Sequence, residues 1–301
     1  VPVSHDGRFA PSPTGPLHLG SLRTALVAWL FARSRSARYL VRVEDLDPQR
    51  SRREFERDQL DDLRALGIDW DGPVVRQSER SALYDAALAQ LRAQDRVYEC
   101  FCTRAEIRAA ASAPHGELPE GAYPGTCRDL TAAEHRARID AGLPYALRLR
   151  ADGERVEFDD ELLGRCGAAV DDFVVRRADG VTAYQLAVVV DDAEQGIDEV
   201  VRGADLVDST PRQMVLGRLL GLPIPTYAHV PLVLSADGSR LAKRHGGSTR
   251  ADRDEPVGQT LALLAHTLGL AAHRDRVAAA AELLDEFDPA RIPLAPVVLT
   301  V

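Results

Sequence analysis

The sequence predicts an α/β fold around a parallel sheet, and three observations carry that expectation. Residues 8–20 read R-F-A-P-S-P-T-G-P-L-H-L-G, a stretch that begins extended, turns, and ends where a helix starts. Pro11 and Pro13 keep the residues before them out of the helical region, and Thr14-Gly15-Pro16 is a turn combination. The second observation is a strand pattern over 39–43 that closes on Glu44-Asp45-Leu46-Asp47-Pro48. Acidic residues at the carboxyl end of a strand lie where open α/β sheets bind ligands, although Asp47-Pro48 also suits a helix N-cap. The third is alternation, with strand and helix patterns following one another to about residue 100.

From Ser21 onward, Leu22, Ala25, Leu26, Trp29 and Leu30 fall at helical spacing. A helix start there presents unpaired N–H groups and a positive dipole end, which suits an anion such as phosphate. An ordinary strand-to-helix connection has the same local pattern. Next come an amphipathic helix over 50–66, with Phe55, Leu60, Leu63 and Leu66 on one stripe, a helix over 78–93 and a strand over 97–102. Residues 100–166 are Ala-rich, charged and punctuated by Pro and Gly, with short strands over 145–150 and 155–158. They are predicted as an insertion between two halves of the sheet. The second half resumes with a strand over 173–176, the apolar run 184–192, a strand over 199–203, and a helix that Asp208-Ser209-Thr210-Pro211 opens toward 220. Val233 to Ser239 predicts a hairpin with a tight Asp237-Gly238 turn. Two helices, over 257–270 and 274–287, precede a Pro-rich tail. The expected organisation is therefore 1–99, the insertion 100–166, 167–250, and a short helical segment 251–301.

The 301 residues, 45% hydrophobic and 28% charged, have the composition of a globular protein. No apolar run reaches the length of a membrane span and the N-terminus lacks a signal pattern, so a cytoplasmic protein with no membrane partner is expected. A net charge of −9 argues against a general nucleic-acid coat but allows a local basic face. Lys243 is the only lysine, in a chain whose other long cationic side chains are all Arg. That suggests a place needing a compact ammonium, or chance in an Arg-biased composition.

Four cysteines are too few for a disulfide scaffold, and their spacing favours metal. Cys100-x-Cys102 with Cys127 supplies three thiolates, one short of a structural zinc site. His115 and Tyr123 are the nearby fourth donors, and chemistry alone prefers His115; buried free thiols are the alternative. Cys166 stands apart and reads as a core thiol. Arg202, at a strand end, can grip a carboxylate with two parallel hydrogen bonds, although an isolated Arg more often makes a surface ion pair. Tyr184 reads equally well as core.

These motifs carry a resemblance. R-F-A-P-S-P-T-G followed by His18-Leu19-Gly20 resembles the first signature of class I aminoacyl-tRNA synthetases in the form of the glutamate enzymes, with Ser21 in place of the last His. Arg202-Gly203, Asp205 and Ser209 to Gln213 resemble that family's V-I-R-G-x-D-L…S-T-P-R-Q segment. Arg240-Leu241-Ala242-Lys243-Arg244 aligns with KMSKS; Lys243 takes the second lysine, while Arg240, Ala242 and Arg244 depart from the pattern. Residues 121–128, G-A-Y-P-G-T-C-R, resemble the zinc segment of the glutamyl-Q synthetases, whose Cys, Cys, Tyr, Cys set favours Tyr123 over His115.

The resemblance implies a class I, Rossmann-like parallel sheet with a zinc-containing inserted subdomain. It places glutamate against Arg8, Phe9, Ala10, Pro11, Ser12, Glu44, Tyr184 and Arg202, leaving open which Arg takes which carboxylate. ATP, with Mg²⁺, falls to His18, Gly20 and Lys243, of which His18 and Lys243 are the catalytic pair. Structural zinc falls to Cys100, Cys102, Tyr123 and Cys127. A glutamyl-tRNA synthetase continues into a large anticodon-binding region, and the fifty or so residues after Arg250 are too few for it. The implied family is then the glutamyl-Q tRNA(Asp) synthetases, which activate glutamate without tRNA and transfer it to queuosine at the wobble position. The expected partner is the tRNA(Asp) anticodon stem-loop, and a monomer is expected. The alternatives are a compact glutamyl-tRNA synthetase charging the 3′ end, a glutamate ligase acting on a small molecule, and a catalytically silent RNA- or partner-binding module.

Overall fold

The computed structural model describes residues 5–103, 105–107, 122–235, 237–239, 249–250, 252, 256–271 and 274–299; Lys243 and His115 lie outside them. The first part of the chain forms β1 (Gly7–Phe9), α1 (Leu19–Ser34), β2 (Tyr39–Val43), α2 (Arg53–Ala65), β3 (Val75–Arg76) and α3 (Ser81–Ala93). Then come β4 (Val97–Cys100), α4 (Ala132–Asp140), β5 (Ala146–Leu149), β6 (Arg155–Asp160), β7 (Gly164–Ala169) and β8 (Val174–Arg176). The remainder is α5 (Tyr184–Glu194), β9 (Glu199–Gly203), α6 (Thr210–Leu220), β10 (Thr226–Val230), β11 (Val233–Leu234), α7 (Val257–His266) and β12 (Val297–Val298).

The expected parallel sheet is present in two halves. β1, β2 and β3 are parallel neighbours in that order, and β9, β10 and β6 are parallel neighbours with β7 antiparallel at the outer edge. The halves meet at Asp6, whose carbonyl accepts from the amides of Asp198 and Glu199 at 3.0 and 3.2 Å. β1 and β9 therefore stand side by side, and a crevice opens outside their carboxyl ends, where such sheets bind ligands. Helix α1 covers this junction against β1 and β9. It is buried on nearly every side, from Leu22 and Leu26 to Trp29 and Phe31, as a helix apolar all round must be. No helix among the described residues is long and apolar enough to cross a membrane.

The stretch 100–166 divides between two sheets. β4 and β5 join β8 in an antiparallel sheet, whereas β6 pairs with β10 through Asp160 and Tyr227. The cause is the alternation in β6, where Val156, Phe158 and Asp160 are buried between exposed Arg155, Glu157 and Asp159. Phe158 packs its ring against Tyr227, 5.8 Å between centroids. Cys166, expected in the core, is half-buried on β7 beside this cluster.

Two further expectations change, and one holds. Residues 274–287 do not form an α-helix; a 3₁₀ segment covers Ala280–Glu286. The amides of Val277 and Ala280 donate to the carbonyls of Gly258 and Leu66 instead, so tertiary pairing overrides an Ala-rich helical run. The Asp237-Gly238 turn exists, with Gly238 at φ 76° and the Ser235 amide bonded to the Ser239 carbonyl. Its first strand, β11, pairs in parallel with β12, so the expected tail is a strand at that point.

Candidate active site

A cleft of about 520 Å³ opens at the carboxyl ends of β1, β2, β9 and β10. Arg8, Phe9, Ala10, Pro11, Ser12, His18, Gly20, Glu44, Tyr184 and Arg202 all line it. The structure thus brings together every residue expected for glutamate and ATP except Lys243, which lies outside the described residues.

The loop from β1 to α1 is braced from below. Gln59 on α2 donates to the carbonyls of Ser12 and Gly15 at 3.1 and 2.7 Å. The Glu44 amide bonds to the Pro11 carbonyl at 2.9 Å, joining the end of β2 to this loop. His18 is the N-cap of α1, and its Nδ1 accepts from the Ser21 amide at 3.1 Å. In a neutral ring the proton then sits on Nε2. Gly20 makes room for the imidazole, since a Cβ there would lie 3.0 Å from His18 Nδ1. Ser21, where the generic signature has His, holds the His18 ring by its amide and by Oγ, 3.1 Å from Nε2. Thr249 forms a β-bridge with His18, so the described residue following 240–248 reaches the helix start.

Beneath the cleft lies a charge network that joins Arg8 to residues the sequence reading did not assign to the site. Arg8, 3% exposed, donates from Nε to Asp192 Oδ1 at 3.0 Å. Arg42, fully buried, donates from Nη1 to the same oxygen at 2.7 Å and to Gln195 at 2.8 Å. The neighbouring Asp191 accepts from Gln77, Arg80 and Tyr84. Burial alone would raise the Asp192 carboxyl, but Arg8 and Arg42 outweigh it and hold it below the usual carboxylate range. Glu44 goes the other way. Burial pushes its carboxyl up to about 7, although Arg42 and Arg8 pull it back. The available signal for these residues was charge inside apolar runs: Arg42 within β2, and the Asp pair late in α5.

Arg202, 5% exposed, is held by neutral groups. It donates to His229 Nε2 at 3.1 Å, Gln213 Oε1 at 2.8 Å and Thr210 Oγ1 at 2.7 Å, with the Tyr184 hydroxyl at 3.5 Å. Thr210 and Gln213 lay in a segment that the sequence singled out; His229 gave no signal beyond a polar residue in an apolar strand. The cleft therefore offers one cation already paired with a carboxylate, one cation whose described hydrogen-bond partners are neutral, and two carboxylates, Glu44 and Asp205. That set complements an amino acid bearing a second carboxylate.

The sulfurs of Cys100, Cys102 and Cys127 lie within 4.8 Å of one another. Tetrahedral zinc with bonds of ~2.3 Å sets its sulfur donors about 3.8 Å apart, so the three thiols suit such an ion. The Tyr123 oxygen faces them, 3.3 Å from Cys100 Sγ and 3.8 Å from Cys102 Sγ. The Cys127 amide donates to this oxygen at 2.8 Å and Arg138 donates to Cys127 Sγ at 3.4 Å. None of these donors lines the cleft.

Residues 6–276 match the family model of class I tRNA synthetases (E and Q), catalytic domain. With the signature loop and crevice already described, this defines the class of protein: a ligase with a class I synthetase catalytic domain. The chain is 58% identical over 297 residues to a glutamyl-Q tRNA(Asp) synthetase of Nocardia farcinica, covering 98% of this chain and 93% of the relative. A glutamyl-Q tRNA(Asp) synthetase of Symbiobacterium thermophilum is 50% identical over 307 residues, covering 97% and 94%. The chain belongs to the glutamyl-Q tRNA(Asp) synthetase family. Among solved structures, a glutamate tRNA ligase from Elizabethkingia meningosepticum is similar with a TM-score of 0.82 at 27% identity, covering 99% of this chain and 67% of that one.

Proposed function

We propose that this protein activates glutamate with ATP in the absence of tRNA and transfers it to queuosine at the wobble position of tRNA(Asp). The observation that carries the first step is the convergence of Arg8, Ser12, Glu44, Tyr184 and Arg202 with His18 and Gly20 in one cleft. Glu44 takes the ammonium of glutamate, while Arg8 and Arg202 take its carboxylates. An α-carboxylate oxygen attacks the α-phosphorus of ATP, the bond to the β-phosphate bridge breaks, and pyrophosphate leaves. No protein nucleophile is involved, so the work is positioning and charge stabilisation. His18 and the start of α1 serve the phosphates, Mg²⁺ accompanies ATP, and Lys243 closes from the other side. A hydroxyl of the queuosine diol then attacks the acyl carbon and AMP departs.

The names of the relatives, with 93% and 94% of their lengths covered, support the acceptor. Cys100, Cys102, Cys127 and Tyr123 are the ligands of a structural zinc within an insertion spanning 100–166. That insertion separates the catalytic halves 1–99 and 167–250, with its last strands, β6 and the start of β7, built into the sheet of the second half, and a short helical segment, 251–301, follows. The enzyme works as a cytoplasmic monomer.

The test is incubation with labelled glutamate, ATP and tRNA(Asp), with and without queuosine, followed by periodate scoring of the diol. Label is expected only on queuosine-bearing RNA, together with ATP–pyrophosphate exchange that needs glutamate and no tRNA. Label at the 3′ end would instead establish a compact glutamyl-tRNA synthetase, the reading that the Elizabethkingia likeness favours. Label on a metabolite and none on RNA would establish a small-molecule ligase.

A further inference from the structure

We propose that His229, held by Asp160, is the positioning residue for Arg202 and thereby sets the preference of the cleft for a dicarboxylate amino acid over its carboxamide. The inference rests on Arg202 being a substrate contact, as proposed above.

Arg202 donates from Nε to His229 Nε2 at 3.1 Å. A guanidinium has no acceptor, so Nε2 carries no proton and the imidazole proton belongs on Nδ1. Nδ1 lies 2.6 Å from Asp160 Oδ2. Asp160 cannot turn away, because its Oδ1 accepts from the amides of Leu162, Leu163 and His229 at 3.0, 2.9 and 3.1 Å. The His229 side chain is fully buried and its ring lies within 9° of parallel to that of Tyr227. A chain of oriented bonds therefore runs from the turn after β6, through β10, to the guanidinium at the end of β9.

Its chemical content lies in what it leaves undone. Every described hydrogen-bond partner of Arg202 is neutral: His229, Gln213, Thr210, Tyr184 and the Leu206 carbonyl. Arg8, by contrast, is already matched by Asp192. Neutral His229 orients Arg202 without spending its charge, so that charge remains for a ligand carboxylate. A carboxamide ligand can return only part of that interaction, because a charged acceptor bonds more strongly than a neutral one.

The test uses two substitutions that divide the imidazole. His229→Asn keeps an N–H near the Nδ1 position for Asp160 and loses the Nε2 acceptor. His229→Gln places a carbonyl oxygen near the Nε2 position for Arg202. Steady-state ATP–pyrophosphate exchange is measured against glutamate, with glutamine as competitor; KM does not depend on how much of a variant folds. His229→Asn is expected to raise the glutamate KM at least tenfold with kcat within threefold, and to narrow the glutamate-over-glutamine preference by a similar factor. His229→Gln is expected to return KM to within about threefold of the parent. Asp160→Asn, which presents an N–H to Nδ1 and drives the ring proton onto Nε2, is expected to reproduce the His229→Asn effect. An unchanged KM in His229→Asn and Asp160→Asn, or an equal rise in His229→Asn and His229→Gln, would overturn the proposal. A parent protein without glutamate-dependent exchange would overturn the functional reading itself, a result separate from any pattern among the variants.

Discussion

Arg8 and Asp192 form a buried ion pair at 3.0 Å that ties β1, in the first half of the sheet, to α5 in the second. Asp192 serves Arg42 with the same oxygen, so one carboxylate holds two guanidiniums beneath the cleft. In Asp192→Asn those two charges lose their shared counter-charge while the hydrogen-bond geometry survives. Breaking a buried pair on one side costs about 3–5 kcal/mol, and the retained amide oxygen places this case near ~3. Urea denaturation measures the loss.

Glutamate affinity is expected to depend on pH through Glu44, whose carboxyl burial pushes up to about 7. The ligand ammonium favours the charged carboxylate, so binding lowers that value and expels a proton wherever the free protein holds one. Affinity therefore rises about tenfold per unit as pH climbs toward 7 and is flat above it. Calorimetry at pH 6.5 in two buffers of different ionisation enthalpy reports the released proton. Glu44→Gln removes both the slope and the proton, and a flat profile in the parent would count against Glu44 as the ammonium partner.

Lys243→Ala is expected to slow adenylate formation by about a hundred- to thousandfold, the usual cost of one preorganised charge donor. Glutamate affinity stays unchanged, since the amino-acid pocket is built from other residues. Lys243→Arg is impaired as well, because a planar fork does not replace a point charge. Quench-flow measurement of the first turnover checks both, and a parent-like rate in Lys243→Ala would remove this residue from the chemistry.

Cys102→Ser is expected to lose bound zinc and lower Tm while retaining tRNA-independent ATP–pyrophosphate exchange, because no thiol of the cluster lines the cleft. Transfer to RNA falls with the insertion. Tyr123→Phe separates the fourth-ligand candidates: weakened zinc retention supports Tyr123, whereas an unchanged metal content by mass spectrometry returns the role to His115.

The signature loop was legible because its residues are contiguous: Pro11, Pro13, Gly15 and Gly20 restrict backbone shape, and shape of that kind is written locally. The strands β2, β6 and β9 were legible from alternation or apolar runs, whereas β3, β7 and β10 were not read from the sequence. Residues 274–287 were not, because the amides of Val277 and Ala280 pair with Gly258 and Leu66, remote partners that no local pattern reveals. The β11–β12 pairing escaped for the same reason, since its strands are two residues long and some sixty apart.

Read alone, the chain was enough to name the cleft-lining side chains, the cysteine cluster and the family, because motif spacing survives without coordinates. The fold alone decided their electrical state. Arg8 is matched by Asp192, Arg202 is held by the neutral His229, and Glu44 is driven toward a pKa of about 7. These are consequences of burial and of partners 27 to 184 positions away in sequence, which linear order cannot express.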